Sequence, residues 1–193
     1  MVMDPVDAKK YPKCEQFISK IDYHLKHEPD LLRAFIDTCK DEFQSQPAAI
    51  VEKIAREQAL RYGAGPRIKV IQGLVSTFSR DDVIACGWNN AIDNALKKDA
   101  VFIEMTSFWF DALEFGYDPL RAGNRLKRTL LHELVHWVRD LTGASDTIQV
   151  GGYVKGEAVE CGKVFEERAY GSRNICTDDE IFDALTSFRK RPS

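Results

Sequence analysis

The chain has 193 residues, of which 44% are apolar and 30% charged, and its formal net charge is −3. This composition is typical of one folded domain with a hydrophobic core, and it excludes a largely disordered chain. A general nucleic-acid-binding protein would usually be strongly basic, so we expect no nucleic-acid partner.

The sequence shows neither a membrane span nor a signal peptide. Its apolar runs are all shorter than the ~18 residues that a membrane helix needs. The first residues, MVMDPVDAKKYPKCEQF, lack the apolar core of a secretory signal. We therefore expect that the chain is made in the cytoplasm and does not insert into a membrane. Any export would then depend on another device.

The cysteines are predicted to be small buried side chains. They form no CxxC pair, and their odd number leaves at least one thiol unpaired. They are Cys14, Cys39, Cys86, Cys161 and Cys176.

Residues 12–62 are predicted to be helical, in three amphipathic runs that make residues 1–65 a helical N-terminal region. The runs are CEQFISKIDYHLKH, EPDLLRAFIDTCKDEF and QPAAIVEKIAREQALRY, and GAGP at 63–66 ends the last of them. Residues 66–193 are predicted to form the rest of a single domain. There, RIKVIQGLV (67–75) and AVFIEM (100–105) are rich in β-branched residues and predict strands, and DDVIACGWNN is a candidate for another.

Four further segments complete the chain. TSFWFDALEFG predicts a short helix that stops at Gly116, and Asp118 with Pro119 predicts the start of a long helix that ends at Gly143. ASDTIQVGGYVKG predicts a loop or hairpin. EAVECGKVFEERAYG predicts a helix closed by Gly171, and TDDEIFDALTSFRKR predicts the last helix.

The long helix carries the pattern H-E-x-x-H, formed by His132, Glu133 and His136. Histidines four residues apart lie about 40° apart around a helix and one turn apart in height, so both imidazoles can reach one ion. Zinc binds neutral imidazole nitrogens in this way. The glutamate lies beside the ion rather than on it, where it can take a proton from the attacking water.

The apolar residues of the same helix support a functional role for the histidines. They fall on one arc, roughly opposite the histidines, so the helix can pack on the core and turn the histidines elsewhere. A solvated histidine pair without a ligand is the alternative. The arc consists of Leu126, Leu130, Leu134, Trp137, Val138 and Leu141.

A catalytic zinc site needs a third protein ligand, which is predicted in ECGKVFEERAYG. Glu166 is favoured because Gly162 and Ala169 lie on its arc, and small neighbours let a second helix approach. Glu160 is predicted to lie on a solvated face with charge pairs along the helix. Glu160 and Glu157 remain the alternatives to Glu166.

Other candidate ligands are less favoured. Cys161 falls on the apolar arc of its helix with Val164 and Phe165. His24 and His27 are neighbours on the first amphipathic helix, where a position on the helix surface is the commoner fate.

HELVHW followed by FEERAYG resembles the glutamate-type zincin metallopeptidases. More narrowly, LLHELVHWVRD with ECGKVFEERAYG is similar to the metallopeptidase-toxin domains of bacterial polymorphic toxins, over roughly residues 67–171. Related domains occur at the C-termini of type VI secretion spike proteins. The resemblance implies an α+β zincin fold with a small sheet, a HExxH helix and a glutamate helix. It also implies one zinc ion held by His132, His136 and Glu166, with Glu133 as general base.

Further residues are candidates for supporting roles. Tyr170 and Tyr153 could stabilise the oxyanion, although each is more often a packing residue. Asp140 could orient a ligand histidine, and Arg125 shares the histidine face and could meet a substrate carboxylate. The strand segment AVFIEMT is either an exposed edge to which a peptide adds or an ordinary core strand.

These observations predict a zinc-dependent metallopeptidase that hydrolyses peptide bonds in a protein or peptide substrate. The alternative is a noncatalytic interaction module stabilised by zinc. The resemblance implies a secreted antibacterial toxin that acts in the periplasm of a target cell. Its implied partners are a cognate immunity protein and a secretion spike protein.

Overall fold

The computed structural model describes residues 1–41, 46–72, 87–89, 102–116, 118–150 and 157–171, and these form an α+β fold with small sheets. The predicted fold class is therefore confirmed at this level. The predicted C-terminal helix and Tyr153 lie outside the described residues, as does most of DDVIACGWNN.

Short helices make up most of the N-terminal region, as predicted. Three of them begin with proline at the first helical position, where its missing N–H costs nothing. A π-helix over Ala55–Ala59 continues the last of them. The helices are α1 (Pro5–Lys10), α2 (Pro12–Ser19), α3 (Ile21–Lys26), α4 (Pro29–Cys39) and α5 (Ala48–Ile54).

The main sheet has the strand order β1-β2-β4-β3. Its strands are β1 (Val2–Met3), β2 (Arg67–Ile71), β3 (Gly87–Asn89) and β4 (Phe102–Thr106). Strand β4 pairs parallel with β2 on one side and antiparallel with β3 on the other. Of the two alternatives for AVFIEMT, the structure therefore shows the core strand, because both of its edges are already paired.

The helices that follow β4 form where their capping residues predict. In α6 (Ser107–Phe115), the Thr106 side chain accepts a hydrogen bond from the N–H of Phe108. In α7 (Pro119–Thr142), the Asp118 side chain accepts from the N–H of Arg121, and Gly143 ends the helix with a φ of 68°.

Helix α7 lies at the centre of the fold, between α4, α6, α8 and strand β4. The predicted apolar arc is buried except at its C-terminal end, where Leu141 is 51% exposed. Burial also extends to Leu131 and Val135, so α7 is enclosed on more than one side. None of the described helices is both long enough and apolar enough to cross a membrane.

The helix predicted to begin at Glu157 begins instead at Cys161, and this part of the prediction is wrong. Residues Glu157–Glu160 form strand β6, which pairs antiparallel with β5 (Thr147–Val150). Helix α8 then runs from Cys161 to Tyr170. A helical arc that includes Glu160 therefore does not exist, because Glu160 precedes the helix.

Helices α7 and α8 run antiparallel to each other. The first residue of α8, Cys161, lies beside His136, and its last residue, Tyr170, lies beside Arg128. Helix α8 therefore runs alongside residues 128–136 of α7, which include both histidines.

Candidate metal centre

The imidazoles of His132 and His136 point their Nε2 atoms toward each other. The two Nε2 atoms lie 3.4 Å apart, and the side chains are only 12% and 13% exposed. Two nitrogens bound tetrahedrally at ~2.0–2.1 Å from one zinc ion would lie about 3.4 Å apart. The histidine pair therefore has the spacing that one shared metal ion requires.

Glu160 brings a carboxylate oxygen to the same point. Its Oε1 lies 3.5 Å from Nε2 of His132 and contacts Nε2 of His136. The three ligand atoms all lie within 4.8 Å of one another. Two imidazole nitrogens and a carboxylate oxygen form a donor set that suits zinc.

The position of Glu160 at the N-terminus of α8 explains how its carboxylate is held. Its side chain accepts hydrogen bonds from the N–H of Gly162 at 2.6 Å and of Lys163 at 3.1 Å. Burial raises the pKa of Glu160, but hydrogen bonding to His136 and the nearby histidine charges outweigh it and lower the pKa to about 2. The residue is therefore an anionic ligand candidate at neutral pH.

The other ring nitrogen of each histidine binds a second carboxylate. Nδ1 of His132 donates to Oε1 of Glu166, and Nδ1 of His136 donates to Oδ1 of Asp146. Such carboxylate partners fix the imidazole ring and leave Nε2 as the metal-binding atom. Burial lowers the pKa of both histidines, but these carboxylates outweigh it, so both pKa values are raised in the metal-free chain.

The predicted ligand Glu166 thus approaches His132 at Nδ1, and the carboxylate at the two Nε2 atoms belongs to Glu160. Glu166 is 0% exposed and is also bound by Arg128, whose Nη2 donates to Oε2 at 3.2 Å. The carboxylate on Nδ1 of His136 is that of Asp146, whereas Asp140 is the residue that the sequence offers as a candidate for such a role. Asp146 lies after the end of α7, where helical spacing carries no signal for it.

Glu133 is buried beside the histidines, with 6% exposure. Among the described residues, it does not belong to a group of side chains whose ligand atoms converge on one point. Desolvation raises the pKa of its carboxyl, against the opposing effect of His132 and His136. Glu133 therefore lies beside the histidines, as predicted, without joining their convergent ligand atoms.

Cys161, considered above as a ligand, lies on the Nδ1 side of His136. Its Sγ is 3.5 Å from Nδ1 of His136 and 3.6 Å from Oδ1 of Asp146, and these three side chains form a second convergent group. That group offers a single imidazole nitrogen, which already donates to Asp146. Burial also raises the pKa of the Cys161 thiol, which disfavours the thiolate that a metal requires.

The predicted oxyanion donor Tyr170 is the last residue of α8 and contacts Arg128 and Phe165. The Arg128 guanidinium sits over its ring at 4.7 Å, and the ring of Phe165 meets it edge-on. Burial raises the pKa of its hydroxyl. The ring contacts of Tyr170 are therefore with Arg128 and Phe165, and its role as oxyanion donor stays a prediction.

The candidate Arg125 lies in a cleft whose lining residues include neither His132 nor His136. Arg125 lines a cleft of about 540 Å³ together with Arg121, Arg128 and Tyr170. Burial and the two neighbouring arginines lower its pKa.

The histidines of the N-terminal region also lie elsewhere. His24 stacks on Phe17 with ring centroids 5.6 Å apart, and Nδ1 of the exposed His27 donates to the carbonyl of Tyr23. Both positions agree with the expectation that these residues belong to a helix surface.

An α+β fold that gathers two histidines and a carboxylate, each histidine held by a further carboxylate, is typical of a metal-binding domain. A model of the family described as metallopeptidase toxin 3 matches residues 7–171, so the chain belongs to this family. The match confirms the predicted resemblance and extends it over the N-terminal helices. No curated protein and no solved structure matches the chain. Family membership implies a metal ion, hydrolysis of peptide bonds in protein substrates, and a toxin.

Proposed function

We propose that the chain is a zinc-dependent endopeptidase whose metal is held by His132, His136 and Glu160. The observation that carries this proposal is the convergence of the two Nε2 atoms, 3.4 Å apart, on Oε1 of Glu160. This assignment replaces Glu166, because Glu166 binds the other nitrogen of His132. Zinc bound there supplies a Lewis acid for the scissile carbonyl and for water.

The chain's own residues carry the proton. Glu133 accepts a proton from the attacking water at its carboxylate and delivers it to the nitrogen of the leaving amine. Its raised pKa suits both steps, because a carboxyl with a pKa closer to neutral both accepts and releases a proton readily. Glu166 and Asp146 keep the Nδ1 protons of the two histidines in place.

The biological setting that we propose is that of a secreted antibacterial toxin. The family name supports a toxin. We also propose a type VI secretion spike as carrier, a cognate immunity protein as partner and the periplasm of a target cell as the place of action. These three proposals rest on the resemblance of the HELVHW and FEERAYG segments to toxin domains with that setting. Expression of the chain with an added periplasmic signal, with and without the Glu133→Gln change, tests the site of action directly.

The purified chain tests the enzymatic proposal. Wild type, Glu133→Gln and the exposed control Glu167→Gln are compared for zinc content by elemental analysis and for cleavage of an unfolded protein such as casein. We expect about one zinc per chain in all three, and a rate lower by ~10²–10⁴ in Glu133→Gln alone. A chelator should abolish cleavage, and added zinc should restore it.

Two results would contradict this proposal in different ways. Equal cleavage by wild type and Glu133→Gln would remove this residue from the reaction. Full zinc binding without cleavage or toxicity in any variant would favour a zinc-stabilised interaction module instead.

A further inference from the structure

Arg128 lies one turn before His132 on α7, and both side chains bind the same carboxylate. Nη2 of Arg128 donates to Oε2 of Glu166 at 3.2 Å, and Nδ1 of His132 donates to Oε1. Glu166 is completely buried, and the Arg128 side chain is 12% exposed. One buried carboxylate therefore joins an arginine to a candidate ligand histidine.

The ring of Tyr170 makes a second contact with the Arg128 guanidinium. Tyr170 lies one turn after Glu166 on α8, and its ring lies 4.7 Å from the Arg128 guanidinium. Because α7 and α8 run antiparallel, the pairs Arg128–His132 and Glu166–Tyr170 face each other. The guanidinium is thus held between an aromatic ring and a carboxylate oxygen.

We propose that Arg128 is a positioning residue of the metal centre. By holding Oε2 of Glu166, it directs Oε1 at Nδ1 of His132, and this fixes the ring with Nε2 turned toward the metal. A buried carboxylate needs a charged partner, and Arg128 supplies that charge from the side away from His132. This inference rests on the proposed function, since the orientation of the ring matters for a metal bound at Nε2.

Without Arg128, Glu166 keeps His132 as a partner but loses the contact that sets the direction of its carboxylate. The carboxylate can then rotate about its terminal torsion, which is broad for glutamate. The Nδ1 proton of His132 loses its fixed acceptor, and the ring becomes free to turn. Arg128 therefore acts on the metal through Glu166 and His132 and is not itself a catalytic residue.

The test uses the full chain, with zinc as the probe, and compares Arg128→Gln with Arg121→Gln. Arg121 is exposed, lies on the same face of α7 and undergoes the same change of charge. We expect zinc affinity, measured by competition with a chromophoric chelator, to fall by ~10–100-fold in Arg128→Gln. Affinity in Arg121→Gln should stay within about twofold of wild type.

A second readout does not depend on zinc or on activity. In metal-free, ¹⁵N-labelled protein, the Nδ1–H of His132 should give a proton signal protected from exchange with water, which a His132→Gln variant identifies. The signal should persist in Arg121→Gln. In Arg128→Gln it should be lost, because the Nδ1 proton exchanges rapidly with water. An unchanged signal in folded Arg128→Gln would overturn the inference.

A double-mutant cycle separates positioning from a general structural role. In a Glu166→Gln background, Arg128→Gln should change zinc affinity by less than about twofold, since the carboxylate that it acts on is gone. If both changes weaken zinc binding independently, Arg128 does not act through Glu166. If Arg128→Gln fails to fold, Arg128→Lys takes its place in the test. Lysine keeps the positive charge beside Glu166, so this variant should retain the protected proton, and its loss in the folded variant would contradict a role based on that charge.

The failure of this inference can be distinguished from failure of the proposed function. A wild-type chain that binds no zinc contradicts the proposed function, and the protected proton still decides the role of Arg128. A wild-type chain that binds zinc, with Arg128→Gln indistinguishable from Arg121→Gln in both readouts, contradicts only the role given to Arg128.

Discussion

A Cβ atom placed on Gly162 would lie 2.4 Å from Nε2 of His132 and 2.5 Å from two carbons of the same ring. The imidazole therefore occupies the space that any other side chain at position 162 would need. The sequence-based expectation that Gly162 permits close approach of a second helix agrees with this contact. The group that it admits is the ring of His132.

We expect Gly162→Ala to weaken zinc binding by at least ~10-fold, because the ring of His132 must move away from Glu160. The free energy of unfolding should fall by about 1–3 kcal/mol, as is usual when a methyl group is forced into packed space. Chelator competition and urea denaturation measure the two effects. Lys163→Ala is the control, because Lys163 is the next residue of α8 and its side chain is exposed. Equal zinc affinity in the two variants would contradict the contact.

Glu160→Gln is expected to separate ligation from helix capping. Glutamine keeps one oxygen, which can accept from the N–H of Gly162 or of Lys163, but its amide N–H₂ group cannot replace the second carboxylate oxygen, so the loss of stability should be that of a partly lost cap, about 1 kcal/mol. It loses the negative charge, so zinc affinity should fall by more than the ~10–100-fold that loss of an outer-shell partner causes.

Glu167→Gln and Glu166→Gln are the comparisons for this prediction. Glu167 is exposed on α8, and its change should leave zinc affinity unaltered. Glu166→Gln should have an intermediate effect, because Glu166 holds Nδ1 of His132. A larger loss in Glu166→Gln than in Glu160→Gln would restore Glu166 as the third ligand.

The sequence predicts the histidine pair well because all of its information lies within one helix. His132 and His136 are four residues apart, and Asp118 and Gly143 mark the ends of α7 in the sequence itself. Helical geometry then places both rings on one face without knowledge of any other element. The same geometry places Glu133 beside the histidines, whereas its burial is known only from the structure.

The third carboxylate could not be chosen in the same way, because it depends on where a strand becomes a helix. EAVECGKVFEERAYG has enough charge pairing to look helical throughout, but Glu157–Glu160 pairs with Thr147–Val150. That pairing is made with a neighbouring strand outside the segment, and it moves Glu160 from a helical face to the helix N-terminus. Asp146 was missed for a related reason, since only the return of the chain after Gly143 brings it to His136.

Asp146→Asn tests the carboxylate partner of His136. Asparagine can donate from its N–H₂ group to Nδ1. This favours the tautomer with the proton on Nε2, which then has no lone pair for zinc. We expect zinc affinity to fall by ~10–100-fold, with little change in the fold, because Asp146 lies in a half-exposed loop. Asp22→Asn, in an exposed pair with Lys26, is the matched control. Unchanged zinc affinity in Asp146→Asn would show that His136 needs no fixed partner.

Arg139 connects the loop that carries Asp146 to the N-terminal helices, and its removal should destabilise the fold. Its side chain is buried, with 2% exposure of the residue. Nε donates to the carbonyl of Ser145 at 2.8 Å, and Nη1 donates to the carbonyl of Thr38 at 3.0 Å. The same guanidinium therefore holds the end of α4 and the residue just before Asp146.

Arg139→Met should lower the free energy of unfolding of the metal-free chain by about 3 kcal/mol, since the buried carbonyl of Thr38 and the partly buried carbonyl of Ser145 lose a charged donor. Arg33→Met, at an exposed position, should change it by no more than about 0.5 kcal/mol. Urea denaturation of both variants measures the difference. Zinc affinity of the folded Arg139→Met protein should also fall, because Asp146 loses the anchor of its neighbour Ser145. A destabilised variant with wild-type zinc affinity would mean that the loop keeps its position without Arg139.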